Sequence, residues 1–145
     1  MNEKFSTFEV MKILNVKRER LREWMNNDFI SPTQPAFGVG TKALFNLLDV
    51  YKVGVFKKLV EAGINRRKAS AWIKTNPGVN DYREVQEINF IIVFDGKKGS
   101  QWISYKGLPP WTMETDVTEN SDWEVGVLIN FKKLREEIGI SMHNG

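Results

Sequence analysis

The chain has 145 residues, of which 41% are hydrophobic and 12% aromatic, so it has enough apolar side chains to bury a core. It contains no cysteine, which excludes disulfides and thiolate metal sites. Its net charge of +3 is uneven, because residues 1–78 contain 14 Lys and Arg against 7 Asp and Glu, whereas residues 79–145 contain 7 against 11. This asymmetry indicates either a first half that contacts a polyanion or chance unevenness in a small protein.

Two short helices are predicted at the start of the chain. Ser6 followed by Glu9 is a capping-box pattern, and it predicts a helix over residues 6–14 with an apolar repeat of Phe8, Met11 and Leu14. Asn15 is typical of the left-handed residue that ends a helix. A second helix is predicted over residues 17–27, with an apolar stripe formed by Leu21, Trp24 and Met25. Such a closely spaced pair is typical of a helix-turn-helix.

The next segment, residues 33–42, predicts a loop or small hairpin because it contains Pro35, Gly38 and Gly40. Two further helices follow in the sequence. Asn46 and Asp49 repeat the capping pattern before a predicted helix over residues 47–62, which Gly63 closes. A fourth helix is predicted from Asn65 to the Pro77-Gly78 pair, with Ala69, Trp72 and Ile73 facing inward.

The second half is predicted to be rich in strands. Residues 88–94 are mostly Ile, Val and Phe, which indicates a buried strand, and the turn residues 95–99 predict a hairpin with a second strand over 101–105. A third strand over 123–129 and a final helix over 131–138 complete the pattern. We therefore expect an α+β protein in which a four-helix domain that contains the helix-turn-helix (1–76) precedes a strand-rich module with a C-terminal helix (77–145).

A cluster of cations occupies the start of the second predicted helix, where Lys17, Arg18, Arg20 and Arg22 fall within six residues. A recognition helix reads base edges with its N-terminal residues, and neighbouring cations neutralise phosphates. Arg18 is a candidate for guanine, Glu19 for cytosine, and Arg20 and Arg22 for phosphate. The alternative is a solvated helix face, held by the i,i+3 pairs Glu19–Arg22 and Arg20–Glu23.

Several short motifs follow one another in a characteristic order. They are Phe5-Ser6-Thr7 with a helix to Leu14, Val16, Leu21-Arg22-Glu23-Trp24, Phe29-Ile30-Ser31-Pro32, Gly40 with Lys42 and Phe45, Asn46-Leu47-Leu48-Asp49, and Leu59 to Gly63-Ile64. Over residues 5–74 this order resembles the DNA-binding domain of the MerR regulators of bacteria and phages.

The resemblance implies a winged helix-turn-helix whose recognition helix enters the major groove while the wing lies on the DNA backbone. It places Arg22 at the family's backbone-contacting arginine, Lys42 at its basic wing residue and Trp24 at its aromatic position. The expected double-stranded DNA contacts are Lys17, Arg18, Glu19, Arg20, Arg22, Thr41 and Lys42.

This chain departs from the family pattern at two places. Lys17 stands where the family has a Ser or Thr cap on the recognition helix. Pro77-Gly78 interrupts the position of the family's long dimerising helix, and an acidic segment follows it. A homodimer is still expected, because two-fold symmetry doubles the DNA contacts, and we expect the second half to form that contact.

No enzyme, cofactor or metal site is expected from the sequence. His143 is the only histidine, so neither a histidine metal site nor a Ser-His triad can be assembled. The carboxylates of the second half lack calcium-loop spacing. The aromatic residues of the same half are candidates for a pocket, an interface or simply a core, namely Trp102, Tyr105, Trp111 and Trp123.

The function expected from the sequence is DNA binding in transcriptional control, in the cytoplasm, since no secretory or membrane-spanning segment is evident. One alternative keeps DNA binding but makes the protein an architectural factor, similar to phage excisionases or terminase small subunits. The other alternative is a protein-interaction module in which the basic helix is only a solvated surface.

Overall fold

The fold was analysed in a computed structural model, which describes residues 3–38, 40–75, 81–97, 99–107 and 123–144. These residues form helices α1 Thr7–Leu14, α2 Arg18–Asn26, α3 Leu47–Glu61, α4 Arg66–Thr75, α5 Tyr82–Glu87 and α6 Phe131–Asn144. They also form strands β1 Phe5–Ser6, β2 Leu44–Phe45, β3 Phe90–Gly96, β4 Gly99–Tyr105 and β5 Trp123–Asn130. The predicted α+β class is confirmed.

Both ends of α1 are set by local signals. The Ser6 Oγ accepts from the Glu9 N–H at 3.2 Å, and the Glu9 carboxylate accepts from the Ser6 N–H at 3.1 Å. This confirms the predicted capping box. Asn15 ends α1 in the left-handed conformation with a φ of 53°, as predicted. The chain therefore reverses within three residues and α2 begins at Arg18.

Helix α2 is anchored by the two most buried residues of its predicted stripe. Leu21 is fully buried and Trp24 is 1% exposed. The Trp24 ring meets the edge of Phe56 of α3 with centroids 4.9 Å apart, a favourable arrangement for aromatic rings. The position of α2 is thus determined by packing against α3, which leaves its opposite side to solvent.

A loop of residues 33–43 connects α2 to the short strand β2 and is named the 33–43 loop. Its base is closed by an isolated antiparallel bridge between Gln34 and Leu44, and β2 itself pairs antiparallel with β1. The buried Asp49 carboxylate accepts from the Thr33 N–H at 2.8 Å, from the Thr33 hydroxyl and from the Asn46 N–H at 3.0 Å. Asp49, the second residue of the predicted capping box of α3, thus also holds the start of the loop.

Helices α3 and α4 form the centre of the N-terminal half. Gly63 follows α3 with a φ of +94°, a conformation that favours glycine, as predicted for a helix end. The Asn65 side chain accepts from the Arg67 N–H at 2.8 Å, so α4 starts one residue later than predicted. The predicted inward residues of α4 are buried, namely Ala69, Trp72 and Ile73. The predicted stop at Pro77-Gly78 lies outside the described residues.

The second half contains one helix that the sequence analysis missed. Asp81 caps α5 by accepting from the Arg83 N–H at 2.9 Å, and the Ile88 N–H donates to the Glu84 carbonyl at the helix end. Ile88 therefore closes α5 instead of starting a strand, and the prediction of a strand over 88–94 is wrong in its start. Ile88 is fully buried all the same, which explains its apolar character.

The three long strands form an antiparallel sheet in the order β4-β3-β5. The predicted hairpin is confirmed, with Gly96 opposite Gly99, so β4 starts two residues before the predicted 101. The third strand starts at Trp123 as predicted and extends to Asn130. One face of this sheet, which carries Ile91, Val93 and Ile129, joins the main core.

Helix α6 returns to the N-terminal helices and is longer than the predicted 131–138. Phe131 meets the Tyr51 ring of α3 with centroids 5.6 Å apart. A Cβ on Gly54 would lie 3.2 Å from the Leu134 methyl groups, so the glycine allows α6 to lie directly on α3. The helix continues past residue 138 because Met142 still packs against the core.

One continuous cluster of buried residues extends from Phe5 to Ile138 and includes both halves of the chain. The predicted boundary between residues 76 and 77 lies outside the described residues, so the division into two domains stays a prediction. In the part of the chain that is described, no helix combines the length and apolarity needed to cross a bilayer.

Candidate nucleic-acid interface

A shallow groove of about 560 Å³ lies between α1, α2 and the 33–43 loop. Its apolar lining comes from Phe8, Met11, Met25, Ala36 and Ala43. Its cationic lining comes from Arg18, Arg22 and Lys42. An apolar floor with a cationic rim is suited to a backbone that alternates sugars with phosphates.

The three cations of this groove are exposed to solvent. None of Arg18, Arg22 and Lys42 forms a salt bridge with a residue that the structure describes. Neither of the two ion pairs in the alternative prediction, Glu19–Arg22 and Arg20–Glu23, occurs among the salt bridges between described residues. Arg20 and Arg22 are therefore not held by these pairs on their own helix.

One carboxylate of α2 is instead neutralised from another helix. Glu23 forms a salt bridge with Arg66 of α4, and the Arg66 guanidinium lies 5.7 Å from the centre of the Phe29 ring. This pair removes one negative charge from the edge of the α2 surface, so it reduces repulsion toward an approaching polyanion. Glu19 remains the other acidic residue of the helix surface, and it is exposed.

Helix α4 supports the far end of α2 through three further contacts. The Ser70 hydroxyl donates to the Phe29 carbonyl at 2.7 Å. Lys74 donates to the Asp28 carbonyl and lies 3.5 Å from its carboxylate. The hydrogen bond from Ser31 and the charge of Lys74 hold the pKa of Asp28 below its usual range. These contacts fix the angle at which α2 leaves the core.

The N-terminus of α2 carries no side-chain cap, because Lys17 makes no capping hydrogen bond. The first amides of a helix are left without intrahelical acceptors, and they carry a partial positive charge. Lys17 and Arg18 add their own charge at the same end. Because no side chain occupies these amides, this helix end is suited to a phosphate group.

The structure separates the seven predicted contact residues into three positions. Arg18, Arg22, Thr41 and Lys42 line the groove together. Glu19 lines a neighbouring depression, which Arg18 and Arg22 also border. Lys17 and Arg20 are exposed but lie outside both sets of lining residues.

Arg20 and Arg22 were both expected beside the apolar stripe as phosphate ligands, and the helix geometry places them apart. At about 100° per residue, Arg22 lies one turn from Arg18 on the groove side. Arg20 falls on the opposite flank of the buried pair Leu21 and Trp24. Arg18 and Arg22 are consequently the pair that faces the 33–43 loop.

Thr41 has a structural task within the 33–43 loop. Its hydroxyl accepts from the Phe37 N–H at 2.6 Å and donates to the Gly38 carbonyl at 2.9 Å. Gly38 and Gly40 have φ values of +92° and +86°, which favour glycine. The Thr41 hydroxyl proton is thus used inside the turn, and Lys42 is the residue of the loop that offers a charge.

Two exposed aromatic residues at this surface were missed by the sequence analysis. Phe8 was expected in the apolar repeat of α1, but it is 64% exposed, because Val10 and Leu14 form the buried side of that helix. Phe37 is 79% exposed in the 33–43 loop. The sequence did contain a signal of this exposure, because Phe37 lies between Pro35 and Gly38 and has no apolar neighbour at helix or strand spacing.

The aromatic residues of the second half contribute to packing where they are described. Trp102 packs against the main core. Trp123 stacks on Phe94 with ring centroids 6.0 Å apart, and Trp111 lies outside the described residues. Among the described residues, no group of three His, Cys, Asp or Glu side chains is placed to hold a metal ion.

Comparison with known proteins adds no relative. No family model matches the sequence, and no curated protein matches it either. The resemblance to MerR-type domains therefore rests on the motifs quoted above and stays a prediction.

Proposed function

We propose that the protein binds double-stranded DNA sequence-specifically as a regulator of transcription, with α1 and α2 as a helix-turn-helix and the 33–43 loop as its wing. The observation that carries this proposal is the position of Arg18, Arg22 and Lys42. These cations are exposed, lie on one groove and have no ion-pair partner among the described residues.

The dimensions of α2 suit the proposed docking. A helix with its side chains is about 10–12 Å across, and the major groove of B-DNA is about 12 Å wide. The buried Trp24 and the contacts from α4 hold α2 rigidly, which limits the side-chain and backbone ordering that binding requires. Arg18 at the N-terminal end reads guanine, and Glu19 accepts from cytosine.

Arg22 and Lys42 contact phosphates in this proposal. They approach the groove from α2 and from the 33–43 loop respectively, so they contact the DNA backbone at two points and set the orientation of α2. We further propose that two copies bind as a homodimer, since one such module contacts few base pairs and a two-fold repeat doubles the readout.

The salt dependence of DNA binding tests the proposal. Affinity for a duplex of about 20 base pairs is measured by fluorescence anisotropy at several salt concentrations. Two phosphate contacts, by Arg22 and Lys42, predict that log K falls with log salt with a slope of about −1.8 per protomer. A flat response would contradict the proposal and favour a protein-interaction module.

Single substitutions separate base reading from phosphate binding. Arg18→Ala should reduce discrimination between sites by about 1–3 kcal/mol, because a bidentate contact to guanine is lost. Lys42→Ala should weaken all sites equally and lower the salt slope by about 1. Lys133→Ala, which removes an exposed lysine of α6, is the matched control and should change neither quantity. If neither Arg18→Ala nor Lys42→Ala changes DNA binding, the roles proposed for these two residues are wrong.

A further inference from the structure

The tip of the 33–43 loop presents one large apolar side chain to solvent. Phe37 is 79% exposed, the highest value among the large hydrophobic residues that the structure describes. A single exposed apolar residue is normal on a protein surface. Phe37 differs from such cases because of how its backbone is held and because of what surrounds it.

The backbone at Phe37 is held by a hydrogen bond within the loop. Its N–H donates to the Thr41 hydroxyl at 2.6 Å, and that hydroxyl donates to the Gly38 carbonyl at 2.9 Å. Gly38 and Gly40, which follow Phe37, both have positive φ values. A side chain whose backbone is already held by a hydrogen bond loses less entropy when it enters a binding partner.

The charges around Phe37 suit a polyanion. Residues 33–43 contain Lys42 and no Asp or Glu, so no carboxylate of the loop repels a phosphate. The side of the loop formed by Ala36, Thr41 and Lys42 lines the groove that Arg18 and Arg22 also line. The loop therefore borders the same groove as the cations of α2.

We propose that Phe37 inserts as an apolar wedge into the minor groove next to the major groove that α2 occupies, and bends the duplex there. This inference rests on the proposed DNA binding. Aromatic and aliphatic wedges unstack a base step at a cost of a few kcal/mol, and the bend brings more DNA onto the protein. Lys42 beside the loop tip neutralises phosphate where the two strands approach.

Insertion of Phe37 would also make the protein prefer certain base steps at the insertion point, although no hydrogen bond reads the bases there. Pyrimidine–purine steps such as TA and CA unstack most easily, so the cost of inserting Phe37 is lowest there. The protein should consequently favour sites with such a step at a fixed distance from the bases that Arg18 reads. DNA bending is compatible with an architectural DNA-binding protein as well as with a regulator of transcription.

The test measures DNA bending and affinity with the full chain. Fluorescence resonance energy transfer between the ends of a duplex reports the bend, on two duplexes that differ only in a TA or a GC step. The wild-type protein should bend the TA duplex and prefer it. Phe37→Ala should leave the salt slope unchanged, lose the bend and bring the preference ratio to about one. Ile140→Ala, which removes an exposed apolar side chain of α6 that does not line the groove, should keep the bend.

The outcomes distinguish this inference from the proposed function. If the wild-type protein shows salt-dependent binding without a bend, or if Phe37→Ala bends DNA as the wild type does, the wedge is refuted while DNA binding stands. If the wild-type protein binds neither duplex in a salt-dependent way, the proposed function itself fails. Equal unfolding transitions of Phe37→Ala and wild type confirm that the comparison is between folded proteins.

Discussion

Two surfaces of the molecule use their cations in different ways. On the groove surface, Arg18, Arg22 and Lys42 are exposed and have no described ion-pair partner. Where the second half meets the first, Lys68 of α4 lies 2.8 Å from the Asp95 carboxylate of β3. Within the second half, Arg135 of α6 donates to the carbonyl of Val85 at 3.0 Å and to that of Ile88 at the end of α5.

This difference shows which cations stabilise the fold and which are left for a ligand. The Arg135 guanidinium donates hydrogen bonds to carbonyl groups at the C-terminus of α5, where its positive charge is favourable. Its charge therefore stabilises the fold. The groove cations satisfy no described protein group. We infer that substitutions at the junction leave the proposed DNA-binding surface unchanged, and that substitutions on that surface leave the stability of the fold unchanged.

The largest expected effect comes from the junction core. Phe131→Ala should lower the free energy of unfolding by about 3–5 kcal/mol, because Phe131 is fully buried against Tyr51 and truncation leaves a cavity. Urea denaturation followed by tryptophan fluorescence measures it, since Trp24 and Trp72 are both buried in the N-terminal half. A single shifted transition is expected. A second transition that stays at the wild-type position would show that the halves unfold independently, as the predicted division at 76/77 implies.

The next largest expected change in the free energy of unfolding is given by a comparison of two arginine variants. Arg135→Ala should lower the free energy of unfolding by about 1–3 kcal/mol, because two carbonyl groups lose a charged donor. Arg22→Ala should change it by less than about 0.5 kcal/mol, because the residue is exposed and makes no described contact of this kind.

DNA affinity should show the reverse order for the same pair. Arg22→Ala is expected to weaken binding at low salt, and Arg135→Ala is expected to leave binding unchanged at a temperature where the variant is folded. Thermal denaturation and anisotropy titrations on the same samples compare the two quantities. The proposed separation of surfaces would be wrong if Arg22→Ala destabilised the fold as much as Arg135→Ala does.

The smallest effect concerns pH. The hydrogen bond from Lys68 lowers the pKa of Asp95 below its usual 3.8. A carboxyl group with a lowered pKa in the folded state stabilises the protein above its unfolded pKa, and this contribution is lost as the pH falls through the folded value. The stability difference between wild type and Asp95→Asn should therefore be largest near neutral pH and shrink below about pH 4. A difference independent of pH would assign the effect of the substitution to packing.

Much of the first half of the fold could be predicted from the sequence because its signals are local. The two capping boxes at Ser6 and Asn46, the left-handed Asn15 and the closing Gly63 each depend on residues within one helical turn. The buried stripes of α2, α4 and α6 follow from helical periodicity, which needs no knowledge of the partner surface.

The misses came from contacts between distant residues and from competing signals. Ile88 continues an apolar run into β3, and this run concealed the end of α5, whose cap Asp81 is an ordinary turn residue. The exposure of Phe8 depends on which side of α1 packs inward. Its apolar side chain led us to expect that it would be buried.

The candidate site was predictable in its residues and less so in its arrangement. The cations of α2 and Lys42 are evident from composition and motif order. The pairing of Glu23 with Arg66 joins residues far apart in sequence, so spacing alone could not show which carboxylate of α2 is neutralised. The use of the Thr41 hydroxyl inside its own turn required the backbone conformation of Gly38.

The most direct test of the account is to map where DNA contacts the protein. Backbone amide chemical shifts are recorded by NMR during titration with a duplex of about 20 base pairs at low salt, where non-specific phosphate binding suffices. We expect shift changes concentrated in α2 and the 33–43 loop, with β4 and the outer side of α6 unaffected. Changes centred on the sheet or on α6, with the amides of residues 17–26 unchanged, would contradict the proposal that this groove is the DNA-binding surface.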